Sequence, residues 1–287
     1  MIKILALGGC LLHGPLNRYT KLQFNPLFTL GLKGYARETY SFGEMRQLVR
    51  FVRGEIQIPA GIKVLAGMDP WFEPRPGIGD FAEADAVLLE PNTAVEIIHG
   101  DYVLNRTAIV KHILEAIRII SPGPETARQT NFWMSRGLLG GNDVSQRELG
   151  RQLVSLIPET MPFADLVRDV LMNARSEQGD LALGLRDLRA MIDRPMGVMT
   201  YIFQYMPDGR PISWPSDFRD DVLAAATALN LPVFEPWRLV EQYGAEVVLK
   251  EDRRHWNETF MPTISQAIVD FAAEVAHGKA SVASAVA

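Results

Sequence analysis

The chain has one cysteine, no long apolar run and no surplus of positive charge, and each shortage excludes something. A lone Cys10 rules out an intrachain disulfide framework and fits a reducing compartment. No stretch approaches the ~20 apolar residues of a membrane-spanning helix, so no membrane partner is expected. A formal net charge of −5 argues against a nucleic-acid binder. No Cys/His cluster has zinc spacing, no Gly-x-x-x-x-Gly-Lys phosphate loop occurs, and no Gly-x-Gly-x-x-Gly follows the first apolar run. Metal and nucleotide cofactors therefore have no support, and none is expected. Internal repeats are missing as well.

What is present is ordinary globular material: 287 residues, 47% hydrophobic, enough for one large α/β domain. Short apolar runs at 2–7, 37–42, 62–66, 84–90, 197–205 and 231–234 read as strands. Amphipathic stretches at 44–52, 107–120, 217–229, 236–243 and 258–276 read as helices. The alternation predicts an α/β three-layer sandwich, a mostly parallel central sheet with helices on both faces. Residues 125–194 read differently, as helices at 144–156, 162–175 and 181–192. They are expected to form a helical insertion or lid within a single domain 1–277, with 278–287 a flexible tail. The same helices would serve equally as a dimer surface, so a homo-oligomer stays open. Two Pro/Gly loops carry aromatics, Trp71 in 68–79 and Trp214 in 206–215, and a turn-rich loop with Gly14, Pro15 and Asn17 is expected after Cys10.

The opening segment, Ile2 to Leu7 followed by Gly8-Gly9-Cys10, carries the first chemical suggestion. Leu7-Gly8-Gly9-Cys10 resembles a lipoprotein cleavage box, but the preceding apolar run of about six residues is shorter than the usual 7–15. It reads instead as the first strand of a cytoplasmic protein. A strand that stops at two glycines presents the next side chain at the sheet's C-terminal edge, where open α/β sheets bind ligands. Cys10 is thus a candidate nucleophile, against the plainer reading of a small buried hydrophobe. A nucleophilic thiol needs a base. Of the five histidines, His277 falls in the tail, His112 in a helix and His99 in a turn, while His13 is three residues from Cys10. His255 stands out because Asp252 precedes it by three positions, a spacing that lets the carboxylate orient the ring. Taken alone, Asp-x-x-His is as readily a solvated surface pair.

In order along the chain come a strand ending in Cys10, a strand ending at Gly43, a strand ending at Asn92, and Asp252-x-x-His255 ahead of the last helix. This arrangement resembles the SGNH/GDSL hydrolase superfamily. The resemblance implies Cys10 as nucleophile, His255 as general base and Asp252 as its orienting carboxylate. It further implies an oxyanion hole from the Cys10 N–H, the Gly43 N–H and the Asn92 side chain, with Asn142 of Gly140-Gly141-Asn142-Asp143 as the alternate asparagine. The family's Gly-Asp-Ser is Gly8-Gly9-Cys10 here, so sulfur replaces the hydroxyl. A cysteine at that place suits an acyl hydrolase or acyltransferase acting on an ester or thioester, with a small acyl substrate such as acyl-CoA. The alternative is a non-catalytic protein that binds an acyl or sugar ligand. His13, Trp71, Trp214 and Arg254 are the expected pocket residues, the arginine suiting an anionic group.

Overall fold

Each residue of the segments Ile4–Gly8 and Ala86–Glu90 is buried, as befits parallel strands covered on both faces. A computed structural model describes residues 2–23, 38–74, 81–139, 143–202, 216–252 and 255–278. In chain order its first half comprises β1 (Ile4–Gly8), α1 (Cys10–Gln23), α2 (Phe42–Val52), α3 (Ala60–Leu65), β2 (Ala86–Glu90), β3 (Val95–His99), β4 (Tyr102–Leu104), α4 (Arg106–Ile109), α5 (Glu115–Ile120) and α6 (Pro124–Phe132). The second half comprises α7 (Asp143–Val154), α8 (Ala164–Asn173), β5 (Arg175–Gln178), α9 (Leu181–Met191), β6 (Met196–Met199), α10 (Ser216–Ala228), β7 (Val233–Phe234), α11 (Trp237–Tyr243), α12 (Ala245–Val248) and α13 (Met261–Ala276). Two π-helical turns, Val110–Leu114 and Trp133–Leu138, adjoin α4 and α6.

The protein is α/β. Four parallel strands form its main sheet in the order β1-β2-β6-β7. Alternation along the strands sorts the core into two halves. Leu5, Leu7, Val87, Leu89 and Val198 pack with α2, α9 and α10. Ile4, Ala6, Ala86, Leu88 and Phe234 pack on the other side with α1, α11 and α13. Helices thus cover both faces, and the C-terminal ends of β1 and β2 meet at one edge with Gly8 opposite Glu90.

Helices α7, α8 and α9 fall close to the amphipathic stretches at 144–156, 162–175 and 181–192, whereas α6 was not expected, and the region is not wholly helical. β5 pairs antiparallel with β3, giving a second sheet in the order β4-β3-β5. Buried residues of this stretch, among them Trp133, Leu153, Val170 and Leu185, share the core that holds Leu5 and Leu89.

Four local expectations are corrected. The run 62–66 is helical, because Ile62, Leu65 and Ala66 have helix spacing as well as β character. Residues 38–40 do not make a strand; they lie across the sheet's end, where the Thr39 N–H donates to the Gly8 carbonyl at 3.0 Å. In place of a loop, α1 begins at Cys10 and carries Pro15 in its interior. His99 ends β3 rather than sitting in a turn, its Nε2 3.1 Å from Asp169. The expected tail lies, apart from Gly278, outside the described residues.

Candidate active site

The position of Cys10 is set by two glycines and one buried acid. A Cβ on Gly8 would come 2.5 Å from the Glu90 Cβ, and one on Gly9 would come 3.0 Å from the Asn92 amide nitrogen. Gly8 is therefore required for space rather than for an unusual φ, and Gly9 lets the Asn92 side chain lie close. Glu90 fills the room they leave. Its Oε2 accepts the N–H groups of Gly9 and Leu12, each at 2.9 Å, so a carboxyl from β2 caps α1 where Gly9 has no side chain to do it. Cys10, half-buried, is held between those two amides as the first residue of the helix.

The C-terminal loop reaches this same turn. Pro15 has no N–H, so the Leu11 carbonyl loses its partner one turn ahead in the helix. The Trp256 indole donates to that carbonyl at 2.9 Å, across 245 residues of sequence. Trp256 is itself buried and bridges to Leu249, and the Lys250 N–H donates to the His255 carbonyl at 2.8 Å. Asp252 and His255 ride on the loop so closed. The Asp252 carboxylate takes the His255 backbone N–H at 3.1 Å and stands 2.5 Å from its Nδ1. With Nδ1–H given to the carboxylate, Nε2 is left as the basic nitrogen. Both side chains are half-exposed.

Asn92 follows β2 directly. Its N–H and that of Thr93 donate to the Tyr40 carbonyl, which joins the 38–40 segment to the sheet's edge. The side chain lies over Gly9, next to Cys10, and no described residue hydrogen-bonds its amide group. Tyr40 donates its hydroxyl to Glu38 and accepts one from Thr107 at 3.0 Å. A cavity of about 970 Å³ opens alongside, lined by His13, Glu38, Tyr40, Trp71, Lys111 and His112 among others. Cys10 itself stands outside that lining; His13, one turn along α1, and Tyr40 connect the two. Lys111 and His112 belong to a π-helical turn, a distortion frequent at functional sites. Trp71 is 83% exposed on the cavity rim.

Gly43 is not part of this corner's donor set. It lies in the first turn of α2, and its N–H already donates to the Glu96 carboxylate at 2.8 Å. A Cβ there would fall 2.3 Å from that carboxylate, so its glycine serves packing against Glu96 and not an oxyanion. Asn142, Trp214 and Arg254 lie outside the described residues. Sequence reading missed Glu90, whose signal was an acid closing an otherwise apolar strand. It also missed Ser41-x-x-Glu44, a capping-box pattern that marks a helix start just before Gly43.

The electrostatics of the corner are acidic. Burial, then the charges of Glu90 and Glu38, push the Cys10 thiol up to about 12, while its own backbone N–H pulls the other way. Burial pushes Glu90 up to about 8 against the pull of its two N–H bonds. His13 is lowered by burial, and Tyr40 is raised by burial and by its bond to Glu38. The resting sulfur is thus a neutral thiol rather than a thiolate.

Fold and site together define an α/β protein with a parallel sheet, bearing a cysteine at the end of its first strand and an Asp–His pair fixed to the same helix turn. A model of the TviD N-terminal domain matches residues 2–271. The chain belongs to that family. No curated protein and no solved structure matches it significantly.

Proposed function

We propose that the chain is an SGNH-like enzyme that transfers an acyl group from an ester or thioester, acyl-CoA among them, through an acyl-cysteine. The observation that carries this reading is the Asp252–His255 pair, anchored by Trp256 to the helix turn that begins with Cys10. In the proposed reaction His255 Nε2 takes the thiol proton as the Cys10 sulfur attacks the acyl carbonyl. A neutral resting thiol fits this order of events. The negative oxygen of the tetrahedral intermediate is received by the Cys10 N–H and the Asn92 amide, with the N-terminal end of α1 favouring the charge. Collapse expels the alcohol or thiol, which leaves with the proton from His255. His255 then deprotonates water or an acceptor hydroxyl, whose oxygen attacks the thioester carbon and releases Cys10, reprotonated by the imidazolium.

Intact-mass measurement after incubation with acetyl-CoA and longer acyl thioesters tests the proposal. One acyl adduct is expected on the wild type, none on Cys10→Ala, and slow formation on His255→Ala. An adduct that persists in Cys10→Ala overturns it.

A second reading, a binding protein built on the same fold, is favoured by one observation: burial and three acids hold the thiol far above neutrality. Saturable binding of an acyl or sugar ligand, with no adduct formed from any acyl thioester, would select it.

A further inference from the structure

Among the described residues, Glu90 is the side chain that grips the helix backbone on both sides of Cys10. It is fully buried, at 0% exposure, and its Oε2 accepts from Gly9 and Leu12. Its other oxygen, Oε1, is buried with no hydrogen-bond partner among the described residues. That oxygen lies 3.6 Å from where a Gly9 Cβ would stand, on the side the Asn92 amide also faces. A buried carboxyl oxygen left unpaired is costly, and the cost is least when it carries a proton. Oε2 already receives two N–H donors, so a proton on this group belongs on Oε1.

We propose that Glu90 is the positioning residue of the Cys10 site: one carboxyl oxygen fixes the first turn of α1 around the sulfur, and the other governs how readily the thiol ionises. The proposal rests on Cys10 being the reacting group of the function proposed above. Other groups act on the sulfur too: Glu38 and Tyr40 come from the segment before α2, and Asp252, with His255 bonded to it, from the loop after α12. His13, on the next turn of α1, is influenced by Glu38. Glu90 alone among them both bonds the α1 backbone and carries a charge that switches with pH beside the thiol. Protonated, it leaves the sulfur free to lose its proton; ionised, it opposes a second negative charge in the same buried corner.

The test is alkylation of the full-length protein by iodoacetamide, read by intact mass from pH 6 to pH 10. Cys10 is the only thiol, so the label has one destination. Glu90→Gln keeps an acceptor for the two N–H groups and removes the ionisation. It is expected to fold and to shift the alkylation profile to lower pH, on the order of 10-fold faster labelling near pH 9. Glu90→Ala is expected to lose the cap and label with no such ordered profile. A Glu90→Gln profile that superimposes on the wild type overturns the proposal. If that variant does not fold, carboxyl carbon-13 titration of the wild type decides. A Glu90 carboxyl titrating well above the ordinary range supports the proposal, and one titrating within it overturns it. Alkylation needs no acyl chemistry, so this proposal and the acyl-transfer reading can fail separately.

Discussion

The Trp256 indole N–H donates to the Leu11 carbonyl, the acceptor that Pro15 leaves unpaired inside α1. Two residues that look like faults in the sequence, a proline within a helix and a tryptophan beside a polar loop, thus complete one another. The bond holds the loop bearing Asp252 and His255 against the turn bearing Cys10. Trp256→Phe keeps most of the buried ring and loses the donor, which should cost about 1–2 kcal/mol in urea unfolding. Acylation of Cys10 should fall by more than that stability loss explains, since the base is no longer held. In a Pro15→Ala background residue 15 can donate to Leu11 itself, so the cost of Trp256→Phe should shrink. A double-mutant cycle measures the difference. Equal costs in both backgrounds would contradict the arrangement.

The paired glycines ahead of Cys10 should respond differently to the same methyl group. At Gly8 the new Cβ meets the Glu90 Cβ at 2.5 Å, close to strand backbone that cannot move aside. Gly8→Ala should therefore lose about 1–3 kcal/mol, the usual range for overpacking a buried site. At Gly9 the nearest atom is the Asn92 amide nitrogen at 3.0 Å, the far end of a side chain with room to rotate. Gly9→Ala should unfold nearly as the wild type does, yet acylate more slowly on the proposed mechanism, because the Asn92 amide is displaced from its place over Gly9. Denaturant curves beside acylation rates distinguish the two. A Gly9→Ala protein with full acylation rate would remove Asn92 from the site.

Asn92→Ala gives the direct measure. On the proposed mechanism, losing this oxyanion donor should slow acylation by about 10²–10³-fold with little change in stability, since no described residue depends on that amide. Gly43→Ala should do the opposite. Its N–H is taken by Glu96, so the added methyl disturbs α2 and lowers stability while any loss of rate follows the loss of folded protein. The contrast is read from initial rates per folded molecule. If Gly43→Ala instead lowers the rate of the fully folded protein, the start of α2 lies closer to the reacting group than the Gly43–Glu96 bond implies.

Much of this geometry was legible from residue order. Buried strands announce themselves, and Ala86–Glu90 did so through an apolar run ending in Glu90 and Pro91. The Asp252–His255 spacing gave the hydrogen-bonded pair because three residues in a turn bring a carboxylate back over a ring. Gly43 misled because a glycine after aromatic and β-branched residues looks like a strand stop. The Ser41–Glu44 cap, a local hydrogen-bonding pattern, outweighs that composition. The β3–β4 hairpin was missed, although Gly100-Asp101 is its turn signal, with Gly100 at φ +57°. By contrast, Glu90 capping α1 and Trp256 reaching Leu11 join residues 78 and 245 positions apart. No local pattern encodes such contacts; they exist only once the sheet is assembled.

Glu44 makes the final prediction one of pH and stability. It sits in the first turn of α2, fully enclosed, and accepts from the Tyr40 N–H at 3.1 Å and the Asn105 amide at 2.8 Å. Burial outweighs those bonds and pushes its carboxyl up to about 8. The native protein therefore holds a proton that the unfolded chain releases above its ordinary value near 4.5. Where the native state binds more protons, stability falls as pH rises. Below about pH 4.5 both states are protonated and the slope vanishes; above about 8 both are ionised and the full penalty is present. Between those limits one proton of difference is worth up to ~1.4 kcal/mol per pH unit, and Glu90 contributes with the same sign. Glu44→Gln retains an oxygen for both donors and cannot ionise. Its stability relative to the wild type should improve steadily from pH 5 to pH 8, measured by urea unfolding with unchanged m-value. Parallel stability curves for the two proteins across that window would show that Glu44 is already ionised in the native state.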